Sequence, residues 1–457
     1  MISQKIKGNY ELTARLVSQE SEPKVRIRIT GTPNNIGVFL DIDIQGFRVV
    51  RQKGRESTLL KDYQRVNPAP WTVWILKKGN FFRFQVNSYV GWIRGPSGEW
   101  EGIYEPMEGL LTFDPSSRVI ITSLQISKLP WLSQISDPVI GLGPRGSHYE
   151  KQIIPGAIIE TGNRFYMYCM AGREGDQEGA SRRSVAVAVS DDLLSWDVHP
   201  KPVLSWRDVP GDNIYVNGAV VTQDGHSIIM YSLQQYPDWK GFMIAKADNP
   251  FGPFKPIRQN PVYRHFNNAA HEFDLQEIDH PDYSYIMFYA GYTPEINGQW
   301  DGGDRGYLLY SNDLLTWDEA EGNPVFRPET NDNWDAIHIR PRSLNRIDDT
   351  WYLWYEGCNE WTPPGIPQER KWCDSVGLAR SKDLRNWTYY PRNPARPARG
   401  LDSNQFDNTW TGWPRMVVKD ETGYIFYTGN GQVGLRTIPI ELLTEWDTEG
   451  GETLHII

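Results

Sequence analysis

The chain has 457 residues, room for two or three domains, and a formal charge of -10 from 47 Lys and Arg against 57 Asp and Glu. That acidic balance excludes nucleic acid as the default partner, because phosphate binding needs a basic surface. Aromatic residues make up 13%, and 41 Gly and 32 Pro accompany them, a mixture that suits many short strands joined by tight turns.

In chain order, the N-terminal run MISQKIKGNYELTARL lacks the apolar core of a signal peptide, which points to the cytoplasm unless a leader has been removed. No later stretch has the apolar length needed to cross a bilayer, so no membrane partner is expected. From about Gly8 to Ser127, short runs alternate apolar and polar residues, as in KVRIRI, GVFLDIDI, FFRFQVN and RVIITSLQIS. Polar turns such as TPNN and GPSGEW separate them. The period of two predicts an antiparallel β-sandwich over residues 1–130. The run WTVWILKKGNFFRFQVN and the order of strands resemble the lectin-like jelly rolls of the concanavalin type. Trp71, Trp74, Trp92 and Trp100 are spread thinly within strand patterns, so this part is read as a brace rather than a glycan binder. The segment KLPWLSQISDPVIG, with Pro near both ends, reads as a linker.

Repeats then fill residues 131–457. Five aromatic-rich runs recur: RFYMYCMAG, HSIIMYSLQ, YSYIMFYAG, TWYLWYEG and TGYIFYTGNG. Each is followed by a further strand pattern (SVAVAVSDD, GFMIAKADN, RGYLLYSND, SVGLARSKD, QVGLRTIPI). Units of roughly 55 to 75 residues with four short strands each are the signature of β-propeller blades, so the expected fold is all-β, a five-bladed propeller after a jelly-roll sandwich. Three units share a phrase: SDDLLSWD from Ser190, SNDLLTWD from Ser311 and SKDLRNWT from Ser381. Ser and Asp can bond the backbone of a turn between the third and fourth strands, and Trp can fill the gap between blades. That role is structural, not catalytic. In the second unit AKADNPFGPF replaces the phrase, and in the last PIELLTEWD does.

Cys169, Cys358 and Cys373 form neither a disulfide framework nor a CxxC metal pattern, although Cys358 and Cys373 flank a long loop and could meet across it. There is no GxSxG elbow, HExxH, Walker loop or GxGxxG after a strand.

The repeated phrases, with RFYMYCMAG and TWYLWYEG, resemble the five-bladed propeller glycoside hydrolases of families 43, 62, 32, 68, 117 and 130 over residues 135 to 447. The resemblance implies a sugar held in a funnel on the propeller axis, with carboxylates at the mouth of the innermost strands. One protonates the leaving oxygen, one activates water or attacks the anomeric carbon, and a third tunes the acid. Some relatives hold a calcium ion in the central channel; no cofactor is otherwise implied. Families 43 and 32 place an Asp directly before a Pro in the first blade. Here that slot reads Ile154-Pro155, which puts membership of those two families in doubt.

The inner strands begin near SHYEKQIIPGAII, PGDNIYVNGAVV, NNAAHEFDLQEI, NDNWDAIHIRPRSL and DNTWTGWPRMVV. Strand alternation puts Glu272 and Asp274 on one face, and His338, Arg340 and Arg342 on one face of the next unit. Aligning the aromatic runs sets Glu272 level with His338 and Asp274 level with Arg340. Glu272 is the expected general acid and Asp274 the tuner or an orienting acceptor. Glu150 or Asp212 is the expected base or nucleophile, with Asp335 behind them; a capping role fits each of these three equally. His338 and Arg340 would hold substrate hydroxyls. Trp361, Trp410 and Trp413, with Trp239, Trp300 and Trp372, are candidate stacking platforms, and Tyr236 and Tyr292 candidate hydroxyl partners. The expected substrate is an oligo- or polysaccharide, a furanoside such as an arabinofuranoside or fructofuranoside. A phosphorylase using His338, Arg340 and Arg342 for phosphate, and a propeller that binds glycan without cleaving it, are the alternatives.

Overall fold

The computed structural model describes residues 2–7, 10–18, 24–32, 36–43, 46–53, 56–64, 71–78, 81–86, 89–94, 108–115, 119–128, 133–134, 138–172, 182–209, 214–222, 224–233, 241–265, 270–293, 303–328, 335, 338–358, 375–391, 393, 395, 406, 411–444 and 453–456. Their secondary structure is almost entirely β, with one short 3-10 turn at Trp206–Asp208 and one short α-helix at Ile440–Thr444.

The N-terminal third forms two six-stranded antiparallel sheets, one of them completed by a strand from the C-terminal end. Leu12, Ala14 and Leu16 are buried on the strand Tyr10–Ser18, and Trp71, Val73 and Ile75 on its neighbour Trp71–Lys78. Alternate residues are thus withdrawn from water, as the period of two requires. The last described strand of the chain, Thr453–Ile456, pairs with Val119–Lys128 at the edge of one of these sheets. The C-terminal end therefore belongs with the N-terminal sheets and not with the repeats that precede it.

The remaining strands make consecutive antiparallel meanders. Their first strands are Gln152–Thr161, Ile214–Val221, Ala270–Glu277, His338–Ile347 and Thr411–Lys419. Each first strand lies against the next, and Thr411–Lys419 lies back against Gln152–Thr161, so the five close a ring. The aromatic-rich runs form the second strands, from Arg164–Gly172 to Thr422–Gly429. The expected linker is corrected: Ser133–Gln134 pairs with Gln432–Pro439 and supplies the outer strand of the last meander. The run PIELLTEWD, which takes the place of the repeated phrase in the last unit, contains the helix Ile440–Thr444. Closing the last meander with residues from before the first ties the two ends of the ring together.

The repeated phrase is a turn. Ser190 Oγ accepts the Leu193 N–H at 2.8 Å, and Asp192 Oδ1 accepts the Leu194 and Ser195 N–H groups at 2.8 Å each. The Trp196 indole donates to Leu193 O at 3.2 Å. Leu193, Leu314 and Leu384 all take left-handed backbone angles, with φ of 66°, 65° and 61°. That conformation costs a leucine about 1–2 kcal/mol, offset here by burial of the side chain and by the side-chain bonds. The Pro-containing run after two of these phrases has its own task. Asn323 accepts the Leu308 N–H and donates to Leu308 O, both at 2.9 Å, and Asn393 treats Leu378 alike at 3.0 and 2.9 Å. An amide side chain thus stands in for a strand beside the third strand.

Candidate active site

Each first strand carries a break in register: at Pro155/Ala157, Val216/Gly218, Ala270/Phe273, Pro341/Ser343 and Gly412/Arg415. A bulge leaves residues out of the ladder and re-aims their side chains. The residues so released include Gly156, Asn217, Glu272, Arg342 and Trp413, one from each strand. Gly156 is glycine because the strands approach closely there: a Cβ would lie 2.2 Å from Val216 O and 2.6 Å from Tyr168 O.

Glu272 and Arg342 meet. Arg342 Nη2 lies 3.2 Å from Glu272 Oε1 and 2.7 Å from Glu356 Oε2, so one nitrogen bridges two carboxylates. Arg340 Nε lies 2.6 Å from Asp304 Oδ2 and 3.5 Å from Glu272 Oε2, and its Nη1 lies 3.5 Å from Glu356 Oε1. His338 Nδ1 is 3.0 Å from Asp304 Oδ2. Three carboxylates thus surround two guanidiniums, and Glu272, Glu356, Asp304 and both arginines are all buried. The expected alignment is corrected by the bulges. Glu272 is level with Arg342, and Asp274 with Leu344, whose N–H it accepts at 2.8 Å. Plain alternation fails because each bulge adds a residue and resets the count.

Asp274 is bound to a third guanidinium, which also feels the charges of Glu272 and Arg342. Arg415 Nη1 lies 3.1 Å from Asp274 Oδ1, while its Nη2 donates to Asn217 Oδ1 at 2.7 Å and to Phe273 O at 3.1 Å. The Arg415 guanidinium therefore reaches across the ring from the fifth first strand to the second and third. Burial pushes the Asp274 carboxyl up from its ordinary range, and Arg415 and the Leu344 and Gln276 donors pull against it. Burial lowers Arg415 to about 10, opposed by Asp274, so it stays charged at neutral pH. A central calcium ion does not fit these residues, because a guanidinium occupies the middle of the ring where oxygen ligands would have to converge. Among the described residues no group of three or more His, Cys, Asp and Glu is arranged to hold a metal ion.

Among the described residues, the first inner strand, Gln152–Thr161, brings no charged side chain to this cluster. Ile154 packs in one apolar cluster with Tyr215 and Trp413. The Tyr215 and Trp413 rings stack at 5.7 Å and 11°. Arg183 caps the Tyr215 ring at 5.0 Å and Arg342 caps Trp413 at 3.6 Å. Trp413 is 7% exposed, so it is a wall of the site and not an open stacking platform.

Glu150 turns back on its own loop, where Oε2 accepts the Gly146 N–H at 2.7 Å. Asp335 accepts the Tyr355 hydroxyl at 2.8 Å, and that hydroxyl accepts from Asn393 at 3.0 Å, which makes Asp335 a brace for the fourth meander. Tyr292 is paired in the ladder with Asp304, beside the cluster. Asp212, Trp361 and Trp410, with Trp239, Trp300, Trp372, Tyr236 and Cys373, lie outside the described residues. Cys169 is buried, and burial raises its thiol far above the ordinary range.

Sequence reasoning missed Glu356 and Asp304. Glu356 had a signal: where the aromatic runs of other units carry Ala171-Gly172, Ala290-Gly291 and Thr428-Gly429, the fourth carries Glu356-Gly357. An antiparallel partner places that position opposite Arg340. Asp304 stood in a polar loop run, GQWDGGDRG, with nothing to set it apart from its neighbours.

No known family profile and no curated protein matches the sequence. Solved structures do. A glycoside hydrolase shares 18% identity, with a TM-score of 0.52 over 68% of this chain and 92% of that one. A glycosyl hydrolase from Bacteroides ovatus shares 15%, with a TM-score of 0.51 over 69% and 94%. A third, also at 15%, 0.51, 69% and 94%, comes from work stating that the GH130 family of mannoside phosphorylases contains glycoside hydrolases that target β-1,2-mannosidic linkages in Candida mannan. What this chain shares with all three is the fold, that of the propeller glycoside hydrolases.

Proposed function

We propose that the chain is a glycoside-cleaving enzyme whose reaction centres on Glu272. The observation that carries this reading is the position of that carboxylate. It is released by a bulge at the mouth end of an innermost strand and flanked by two guanidiniums that can orient both it and a sugar. The ring of five first strands supports a five-bladed propeller as the catalytic part, residues 131–457 less the last strand. The two N-terminal sheets are read as a lectin-like sandwich over residues 1–130 that braces it. Glu272 serves as the general acid. Arg340, with His338 beyond Asp304, holds substrate hydroxyls. The substrate is an oligo- or polysaccharide, with a furanoside as the leading candidate. Asp274, tied to Arg415, serves the framework.

A phosphorylase is the second reading. Arg342 Nε and Nη1 are buried and make no hydrogen bond, a property that an incoming anion could use. Against it, both guanidiniums already face carboxylates.

The test is product release from a panel of aryl furanosides and pyranosides, arabinan, fructan and sucrose, with and without inorganic phosphate. Wild type and E272Q run side by side. Cleavage by wild type, with a loss of about 10²–10⁴-fold in E272Q, is the expected result. Turnover only with phosphate would select the phosphorylase. Glycan binding without turnover, unchanged in E272Q, would replace both readings with a non-catalytic carbohydrate-binding propeller.

A further inference from the structure

We propose that the fourth meander carries an accessory site for an anionic sugar unit, in a polar cavity at the end of its strands away from Glu272. Choosing a sugar rests on the reading of the chain as a glycoside-cleaving enzyme; a site for an anion stands without it.

The cavity holds about 480 Å³ and opens between Thr350, at the start of the second strand, and the third copy of the repeated phrase with its neighbours, from Arg380 to Thr388. Trp351 pairs with Ser381, while Glu356 pairs with Val376, five residues further along the same strand. At the rise of an extended strand that is roughly 17 Å, so the cavity is separate from the cluster around Glu272.

The other repeats serve as a control. In all three phrases the Asp makes the same turn: Asp383 Oδ1 accepts the Arg385 and Asn386 N–H groups at 2.9 and 2.8 Å, as Asp192 and Asp313 do in their own copies. The turn therefore needs no cation. Yet SDDLLSWD and SNDLLTWD contain acids and no Lys or Arg, while SKDLRNWT contains Lys382 and Arg385. The residue before the Ser is Val189 in the first copy, Tyr310 in the second and Arg380 in the third. A chain of net charge -10 has thus placed cations in the fourth unit where the equivalent positions have none.

The opening has a matching cause. Phe165, Tyr285 and Trp351 share one register, each opposite the Ser of its phrase. The residues before them are Arg164, Ser284 and Thr350. In the first unit Arg164 Nε lies 2.9 Å from Asp191 Oδ1, and in the third Ser284 Oγ donates to Asn312 Oδ1 at 3.4 Å. The same two positions in the fourth unit are Thr350 and Lys382, a short hydroxyl and a cation, and both line the cavity.

The lining defines the ligand. Arg380 is half-buried and its Nη1 donates to Thr444 O at 3.3 Å, which fixes the guanidinium; Lys382 is exposed. Two cations suit one oxyanion. Asp383 does not cancel them, because its carboxylate is spent on the turn. Besides the two N–H groups it accepts Asn386 Nδ2 at 2.7 Å and Ser381 Oγ at 3.0 Å, and the Asn386 and Arg385 N–H groups chiefly hold it below its ordinary range. In the hairpin before Thr350, Asp349 faces Arg346 at 3.7 Å. The Thr350 and Thr388 hydroxyls and the Asn386 carbonyl oxygen are of the kind that bond sugar hydroxyls. The volume lies in the range of small-molecule sites, larger than a bare phosphate requires.

The experiment is calorimetric titration of the full chain with glucuronate, galacturonate, glucose 6-phosphate, glucose and inorganic phosphate. None has a glycosidic bond to break, so binding is read whether or not the chain cleaves glycosides. The uronates or the sugar phosphate are expected to bind, more weakly as salt rises, and glucose is not. K382D should weaken that binding by about tenfold or more, and T350R/K382D, which rebuilds the Arg164–Asp191 pair of the first unit, should abolish it. K382D alters an exposed position and carries the test alone if the double variant does not fold. Inorganic phosphate binding as tightly as the sugar anions overturns the assignment to a sugar. Equal binding by wild type and K382D, or no binding of any anion, overturns the site.

Discussion

The first and fourth meanders make the same strand with the same bulge and use it for opposite ends. At Pro155/Ala157 the bulge releases Gly156, and the flanking Ile154 is sealed under the Tyr215–Trp413 stack. At Pro341/Ser343 it releases Arg342, which meets Glu272 from the third meander and Glu356 from its own second strand. The backbone device is shared, while the residue it releases decides whether a sector of the ring becomes wall or chemistry. Before Pro155 the first unit carries buried hydrocarbon, Ile154, and the charge is gathered in the third and fourth meanders.

This contrast can be broken at several points. The largest effect is expected at the charged sector, where E272Q should lose about 10²–10⁴-fold in cleavage. Unchanged cleavage in a folded E272Q would leave Glu272 a structural ion-pair partner only. Next is the plug beneath it. Arg415→Met strands Asp274 without its cation and should cost about 3–5 kcal/mol in urea unfolding, the range for breaking a buried pair by removing one partner. A cost below 1 kcal/mol, about that of a solvated pair, would show that water reaches the axis there.

Ile154→Asp tests the blank sector directly by restoring an acid before Pro155. A carboxyl placed in the apolar cluster with Tyr215 and Trp413 is withdrawn from water and should destabilise by about 3 kcal/mol. Burial raises the folded-state pKa of such an acid, so the penalty should grow as pH rises through the ordinary carboxylate range. Any gain of cleavage in this variant would show that the wall is part of the site. The smallest effect belongs to the repeated turn. Asp192 is held below its ordinary range, chiefly by the Ser195 and Leu194 N–H groups. Its contribution is therefore complete above the unfolded carboxylate pKa and is lost as pH falls through the lower folded value. D192N should cost about 1 kcal/mol or less at neutral pH, since the group is exposed, and the gap to wild type should close in acid.

The strands and the turn were legible in the sequence because their causes are local. Arg164–Gly172 and Thr350–Cys358 follow from runs of aromatic and β-branched residues, and Ser190, Asp192 and Trp196 bond atoms within a few residues of themselves. Glu272, Arg340 and His338 could be nominated because an acid or a base near the start of an inner strand is conspicuous. Their partners could not. Whether Glu272 meets His338 or Arg342 depends on bulges that add residues to the count; Pro341 is a local mark of the one in IHIRPRS, while HEFDLQ carries no such mark.

By itself, then, the sequence determined the period of each element, the number of its repeats and the chemistry available at the start of each inner strand. Only the tertiary structure decided that Asp274 braces the ring with Arg415, that Trp413 is a wall, and that Glu356 and Asp304 join Glu272 around two arginines. The physical reason is separation. These contacts join residues 14 to 141 positions apart, and the energy of a buried charge is set by what closes over it, not by what precedes it in the chain.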